Sequence, residues 1–419
     1  MLPTQNLQGE HRPQMKVVGS WAHGHEVAFN FCEEDLPHNS NLTIEVLMEQ
    51  LDRIRKSWQT TAAPGTVFPQ HLWIQVDNAG GENKNTIVCK MCAYLMDSGM
   101  FRSVVLATLQ VGHTHEDIDF LFSIMSSHIS KMREWDDPRQ MAETVQRRMS
   151  QHMAQRIEAN SVCAGTLDAI RDWTTWLSDF DDVPNKSGIV GIRAVHWFCF
   201  LRRRDLPLEC AGQVAGPTLG SPTNPNDVML MCKEFMSDLQ LLQPPELMVR
   251  AGACAKLQPT GPTTWEARKD IDTQQITRLC NKIERTMPLH IGAATYLRQW
   301  MTKPRVTEPA PGSLEIMSLR FGEASAGYEF GKVFGAALQA EARPATAHIT
   351  MKRRRINGGH FRLTASMPAY VDFRQSHGVT VEEAVAEWNG AQLCLPKKCK
   401  KYKNAQCKNA QMRNLKCNM

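Results

Sequence analysis

The chain has 419 residues, is 42% hydrophobic and carries a formal net charge of +5. That length suits two or three domains with a sizeable core, and no run approaches the roughly 18 uninterrupted apolar residues of a membrane span. Thirteen cysteines spread over this length are too sparse for a disulfide framework, and the N-terminus lacks a basic-then-apolar signal pattern. Reduced thiols, an intracellular location and no membrane partner are therefore expected.

Lys16 to Gly24 reads as a strand ended by glycine, and Glu26 to Cys32 alternates as its hairpin partner. Asn39, Ser40 or Asn41 offers an N-cap for a helix whose apolar face is Ile44, Leu47, Met48, Leu51 and Ile54. The apolar run His71–Val76 predicts a buried strand. A helix over residues 85–96, closed by Gly99, a buried strand over Phe101–Val111 and a helix on Ile118, Leu121, Phe122, Met125 and Ile129 follow. Helices between single strands imply parallel crossovers, and the opening pair implies a hairpin. The predicted fold is α/β, a mixed sheet with helices on both faces.

Beyond Trp135 the pattern weakens. Residues 139–180 read as helical, with Met141, Val145, Met149 and Met153 at four-residue spacing. Residues 188–200 read as strand, 206–226 as a Gly/Pro-rich loop, 227–242 as a strand then a helix, and 273–285 as a helix. Pro309 to Gly312 reads as a linker. The expected organisation is a core at 1–135, a mainly helical extension or insertion at 136–310, a small α+β region at 311–395 and a basic tail at 396–419. The tail holds eight Lys or Arg and no acid, so it is expected to be poorly ordered, with the remainder of the chain mildly acidic.

Chemistry concentrates at two strand ends. Asp77 follows the His71–Val76 run and precedes Asn78, at the edge where open α/β sheets place ligands. Val111-Gly112-His113-Thr114-His115-Glu116-Asp117 leads into the next helix. Thr114 and Asp117 have capping-box spacing, which gives Asp117 a structural role. Asp119 aligns instead with Ser123 and Ser126 on a polar stripe, and is preferred as a metal ligand together with Asp77. Glu116 is a further candidate. His113 and His115 are alternative ligands for a transition metal. Mg²⁺ or Mn²⁺ is the expected ion, because paired divalent ions on carboxylates stabilise both oxygens of a phosphodiester displacement. Lys352, Arg353, Arg354 and Arg355, with Lys397, Lys398, Lys400 and Lys401 of the tail, are candidate nucleic-acid contacts, the partner being DNA and the compartment the nucleus. Cys89 and Cys92 fall within a predicted helix and read as core thiols.

The element order is similar to the ribonuclease H-like fold of DDE transposases and retroviral integrases. Asp77-Asn78-Ala79-Gly80-Gly81-Glu82-Asn83-Lys84-Asn85, followed by Gly112-His113-Thr114 with acids beyond, resembles an uncharacterised transposase-derived domain family of that superfamily. The resemblance covers about residues 12–135, or as far as 240, and implies a DNA strand-transfer or nuclease ancestry with Asp77 and Asp119 as ancestral catalytic acids. It also implies an earlier, central strand bearing a first Asp. No apolar run and no Asp precede Lys16, so that strand is expected to be missing, as in a truncated copy or a reading begun at an internal Met. The chain is accordingly expected to be catalytically inactive. Two other readings compete: a non-catalytic nucleic-acid-binding protein, and a His/Asp metallohydrolase.

Overall fold

A computed structural model describes residues 10, 13–62, 68–108, 117–130, 136–156, 161–180, 189, 191–207, 210, 224–235, 238, 240–258, 261–304 and 346–355, the last stretch as backbone. The chain divides into two units, Met1–Gly359 and His360–Met419. Every described residue belongs to the first. The expected boundaries after residues 135 and 310 fall inside that unit. The tail and the Pro309–Gly312 linker lie outside the described residues.

The unit is built on one mixed sheet of nine strands, ordered β5-β2-β1-β9-β3-β4-β6-β7-β8. β1 (Lys16–Ala22) and β2 (Glu26–Cys32) form the expected antiparallel hairpin, with Lys16 opposite Cys32. Gly24 turns it at φ 77°, a left-handed angle that glycine adopts without strain. β3 (His71–Val76) pairs in parallel with β4 (Ser103–Thr108). The crossover is α2 (Thr86–Asp97), capped by Asn85, whose side chain accepts from the amides of Ile87 and Val88. The expected continuation of β4 to Val111 runs outside the described residues.

The sequence readings diverge from the structure in the second half. α4 (Pro138–Arg156) covers only part of the 139–180 span. β5 (Ser161–Leu167) follows it and pairs in parallel with β2, and only the short helix α5 (Trp173–Trp176) lies beyond. Methionine spacing foretells the helix, but the strand is specified by its partner. β6 (Trp197–Arg202), β7 (Val228–Lys233) and β8 (Glu246–Val249) extend the sheet antiparallel from β4. The helix expected after residue 227 is absent among the described residues. There Lys233 reaches back to the Asp238 carbonyl at 2.8 Å, closing a turn. α6 (Thr273–Thr286) matches the predicted helix, and α7 (Ile291–Thr302) packs against it.

The largest difference is β9 (Thr346–Arg355), which lies between β1 and β3. It is antiparallel to β1 and parallel to β3. The place between β1 and β3 is thus taken by a strand from the carboxyl-terminal part of the unit.

Strand alternation divides the core. Val18, Leu72, Ile74, Val76, Val104, Leu106, Phe198 and Leu230 face α1 (Ser40–Thr61), α2 and α5. Val17, Trp21, Phe29 and Phe31 face α3 (Asp117–Ser130) and α4. Buried ion pairs bind the outlying segments to this core. Arg268 donates to Glu33 at 2.9 Å and to Asp35 at 2.9 and 3.0 Å. From α7, Trp300 donates to Asp35 at 2.9 Å and Tyr296 to Glu33 at 2.5 Å. Lys303, just past α7, reaches Glu33 at 2.9 Å. On α1, Glu45 accepts from Trp173 at 2.7 Å and is ion-paired to Arg171. The described cysteines are free, and burial pushes the Cys89 thiol well above its usual value and Cys92 to about 12. They are core thiols. No helix among the described residues is long and apolar enough to cross a membrane.

Candidate functional site

β3 and β4 are parallel, so their carboxyl ends meet at one edge of the sheet. Asp77 leaves β3 there and enters a tight turn, in which the Ala79 carbonyl accepts from the amides of Glu82, Asn83 and Lys84 at 2.8 to 3.2 Å. Asn83 is buried and donates its amide to Asp77 Oδ1. Its own oxygen accepts from Thr43 of α1 at 2.7 Å. Asn85 caps α2 and also donates to Ser40 Oγ at 2.8 Å, tying the start of α2 to the start of α1. The Asp-Asn-x-x-Gly-x-Asn-Lys-Asn pattern is thus a clasp that fixes the Asp77 carboxylate. Asn78 is half-exposed in it.

Lys84 is 5% exposed, and its ammonium donates to the Arg193 carbonyl at 2.7 Å. Burial holds this amine below the usual lysine range. Its charge, after burial, also lowers the basicity of His196. His196 Nδ1 lies 3.1 Å from the Thr108 hydroxyl at the end of β4, and its ring stacks on Phe235 with centroids 5.1 Å apart. Thr43, Lys84 and His196 were not singled out as site residues from the sequence. The buried lysine in the Asn-Lys-Asn run is the one signal that could have marked the second cluster.

Asp119 lies in the first turn of α3 and is half-buried. Its neighbour Ile118 stands over β1: a Cβ added to Gly19 would come within 3.2 Å of Ile118 Cδ1. In register, Gly19 pairs with Lys352 of β9, and Met351 pairs with Val76. Asp77 and Lys352 are therefore each one residue past a paired position on adjacent strands. The start of α3 passes over β1, two strands from β3 in the sheet order. His113, His115 and Glu116 lie outside the described residues, as does the side chain of Asp117, which opens α3. Among the described residues no group of three or more His, Cys, Asp or Glu side chains is arranged to hold a metal ion.

The basic run lies in the centre of the sheet. Lys352, Arg353, Arg354 and Arg355 pair with Gly19, Val18, Val17 and Lys16 of β1. On the β3 side the pairing stops at Met351. Residues 352–355 thus run along β1, past the last paired position of β3. Lys397, Lys398, Lys400 and Lys401 lie outside the described residues.

Residues 5–205 are similar to a family described as a domain of unknown function (DUF7869). That span runs from before β1 through β6, so it contains the Asp77 clasp and Asp119 and leaves β9 outside. No curated protein and no solved structure matches the chain.

Proposed function

We propose that this is a transposase-derived protein with a ribonuclease H-like core, which binds the phosphodiester backbone of DNA at the carboxyl edge of its sheet without cutting it. The observation that carries the reading is β9. In the fold that the sequence resembles, the central strand is antiparallel to the hairpin and parallel to the strand before the second acid, and it bears the first acid. β9 has that relation to β1 and β3. Its sequence, Thr346 to Arg355, contains no acid and ends in four cations.

The charge argument follows from the register. Two-metal displacement needs several carboxylates around ions held about 4 Å apart. Here the strand beside Asp77 contributes lysine and arginine, and Asp77 Oδ1 already accepts from Asn83. A cation next to the acid disfavours a second cation and favours an anion. Asp77 and Asp119 could hold a single Mg²⁺ or Mn²⁺, whose chemistry would be to neutralise phosphate charge. Residues two apart on a strand share a face at roughly 7 Å, so Lys352 with Arg354, and Arg353 with Arg355, form two pairs of cations, and a phosphate backbone would meet one pair, a mode of binding that is strongly salt-dependent. A nuclear location accords with a DNA ligand.

The test is fluorescence anisotropy of labelled duplex DNA across a salt series. The wild type, a Lys352→Gln/Arg353→Gln/Arg354→Gln variant and a chain ending at residue 395 are compared, with cleavage followed in Mn²⁺. Each lost phosphate contact is expected to reduce the logarithmic salt slope by about 0.9. Cleavage is expected to be absent, and Asp77→Asn to weaken Mn²⁺ binding. Absence of DNA affinity at low salt, or metal-dependent cleavage abolished by Asp77→Asn, would overturn the proposal.

A further inference from the structure

We infer that the carboxyl edge carries a phosphate subsite separate from Asp77, made by Lys84, Thr108 and His196 between the clasp and the start of β6. The inference does not depend on β9 or its cations. It starts from a buried charge. Lys84 is 5% exposed, yet among the described residues its ammonium has one partner, the Arg193 carbonyl at 2.7 Å, and no carboxylate. The acid of the clasp, Asp77, is held by Asn83 instead. Buried charges are ordinarily paired, because an unpaired one carries a desolvation cost that nothing offsets. An ammonium has three donors, so two remain for an anion.

The groups beside it are also donors. His196 is fixed at the edge by its backbone: its amide donates to the Lys233 and Glu234 carbonyls at 3.2 and 2.9 Å, and its carbonyl accepts from the Thr108 amide at 2.8 Å. The ring is half-exposed, with Nδ1 3.1 Å from the Thr108 hydroxyl and one face on Phe235. An unprotonated Nδ1 accepts from that hydroxyl. An imidazolium donates from both nitrogens, which frees the hydroxyl hydrogen to point elsewhere. Protonation thus turns the pair into two donors beside a fixed cation, a set that suits the several acceptor oxygens of a phosphate. With no anion bound, the surroundings oppose protonation. Burial, then the Lys84 charge, holds the ring below the usual histidine value, against weaker pulls from Thr108 and Glu234. The other charges on the packed segments are turned elsewhere: Arg193 is exposed, the Lys233 ammonium lies over Trp197 and donates to the Asp238 carbonyl, and the Asp238 carboxylate accepts from the Phe235 amide at 2.7 Å. A bound anion offsets the Lys84 charge, so binding takes up a proton at His196.

The experiment follows the His196 imidazole by NMR in pH titrations of the full chain, in chloride and in sulfate at equal ionic strength. His196→Gln identifies the signal. Sulfate is the probe because it stays a tetrahedral dianion throughout the range in which imidazole titrates. A tenfold preference of the anion for the imidazolium raises the apparent pKa by about one unit at saturation. Lys84→Met should abolish that rise and leave the ring more basic than in the wild type in chloride. The source of the phosphate is read from the anisotropy of labelled duplex DNA between about pH 8 and about pH 6. Affinity that tightens on acidification in the wild type, and less in His196→Gln, assigns the subsite to a nucleic-acid backbone. Equal pH dependence in the two, with the sulfate response intact, assigns it to a free phosphate group. Identical wild-type titrations in chloride and in sulfate overturn the subsite and leave the DNA reading standing. A sulfate response without DNA binding at low salt overturns the DNA reading alone. If Lys84→Met unfolds the chain, the wild-type titration decides.

Discussion

Gly19→Ala tests the packing that positions Asp119. An added Cβ would stand 2.7 Å from Phe122 Cζ, 3.0 Å from its Cε2 and 3.2 Å from Ile118 Cδ1. Carbon atoms prefer separations of about 3.5–4.0 Å, so the ring would have to retreat by roughly 1 Å. Its surroundings resist that: Phe122 is fully buried and packs edge-on against Phe29 with centroids 6.0 Å apart. Overpacking of this kind costs about 1–3 kcal/mol. The opposing gain, from reduced freedom of the unfolded chain, is about 0.4–1 kcal/mol. The expected net loss is about 1–2 kcal/mol, read from the urea midpoint at unchanged slope. A second change, Phe122→Leu, should make Gly19→Ala less costly than it is alone, because the ring edge is gone. If Gly19→Ala is as stable as the wild type, α3 does not lie against β1 as described, and the position argued for Asp119 fails with it.

Two further outcomes are expected from the buried ion pairs. Arg268→Met removes the guanidinium shared by Glu33 and Asp35; Glu33 keeps Lys303 at 2.9 Å, so the cost of about 3–5 kcal/mol expected in chemical denaturation falls chiefly on the buried Asp35; a loss below about 1 kcal/mol would show the guanidinium to be dispensable. Burial raises Glu45 from 4.5 to about 7, against the pull of Arg171. Its folded pKa thus exceeds its unfolded one, so its contribution to stability is full below about 4.5 and is lost as pH rises through about 7. Wild-type stability relative to Glu45→Gln should therefore fall across that window in thermal melts; a flat or rising difference contradicts the assignment.

The legible parts of this fold are those whose partners are near in sequence. β1, β2, β3 and the helices α1 to α3 carry their own periodicity, caps and glycines, and Asn39 and Asn85 cap where the pattern places a start. β9 carries none of this. Thr346-Ala347-His348-Ile349-Thr350-Met351 is neither an apolar run nor a clean alternation, and the basic residues after it read as surface. What makes it a strand is the pair of edges that β1 and β3 leave open. The site divides in the same way. Asp77 and the Asn-Lys-Asn run were visible as a motif, but Thr43, Ser40 and His196 join it only through chain reversals of tens of residues. Of the acids and histidines beyond Val111, Asp119 is placed by α3, whose start packs on β1 at Gly19.

The position of β9 also sets the order in which the molecule can be made. A ribosome releases β1 and β3 early and β9 only after everything from β4 to α7 has emerged. At about 5–20 residues per second, that interval is roughly tens of seconds. Throughout it, the hairpin and the parallel strands present two inner edges of unpaired backbone, which are templates for pairing with another chain. Synthesis of this protein thus includes a window in which a chaperone, or a weak non-native cover over the slot, decides between completion and aggregation. A transcript interrupted before residue 346 would leave that window open permanently, and its product should be sought among insoluble chains.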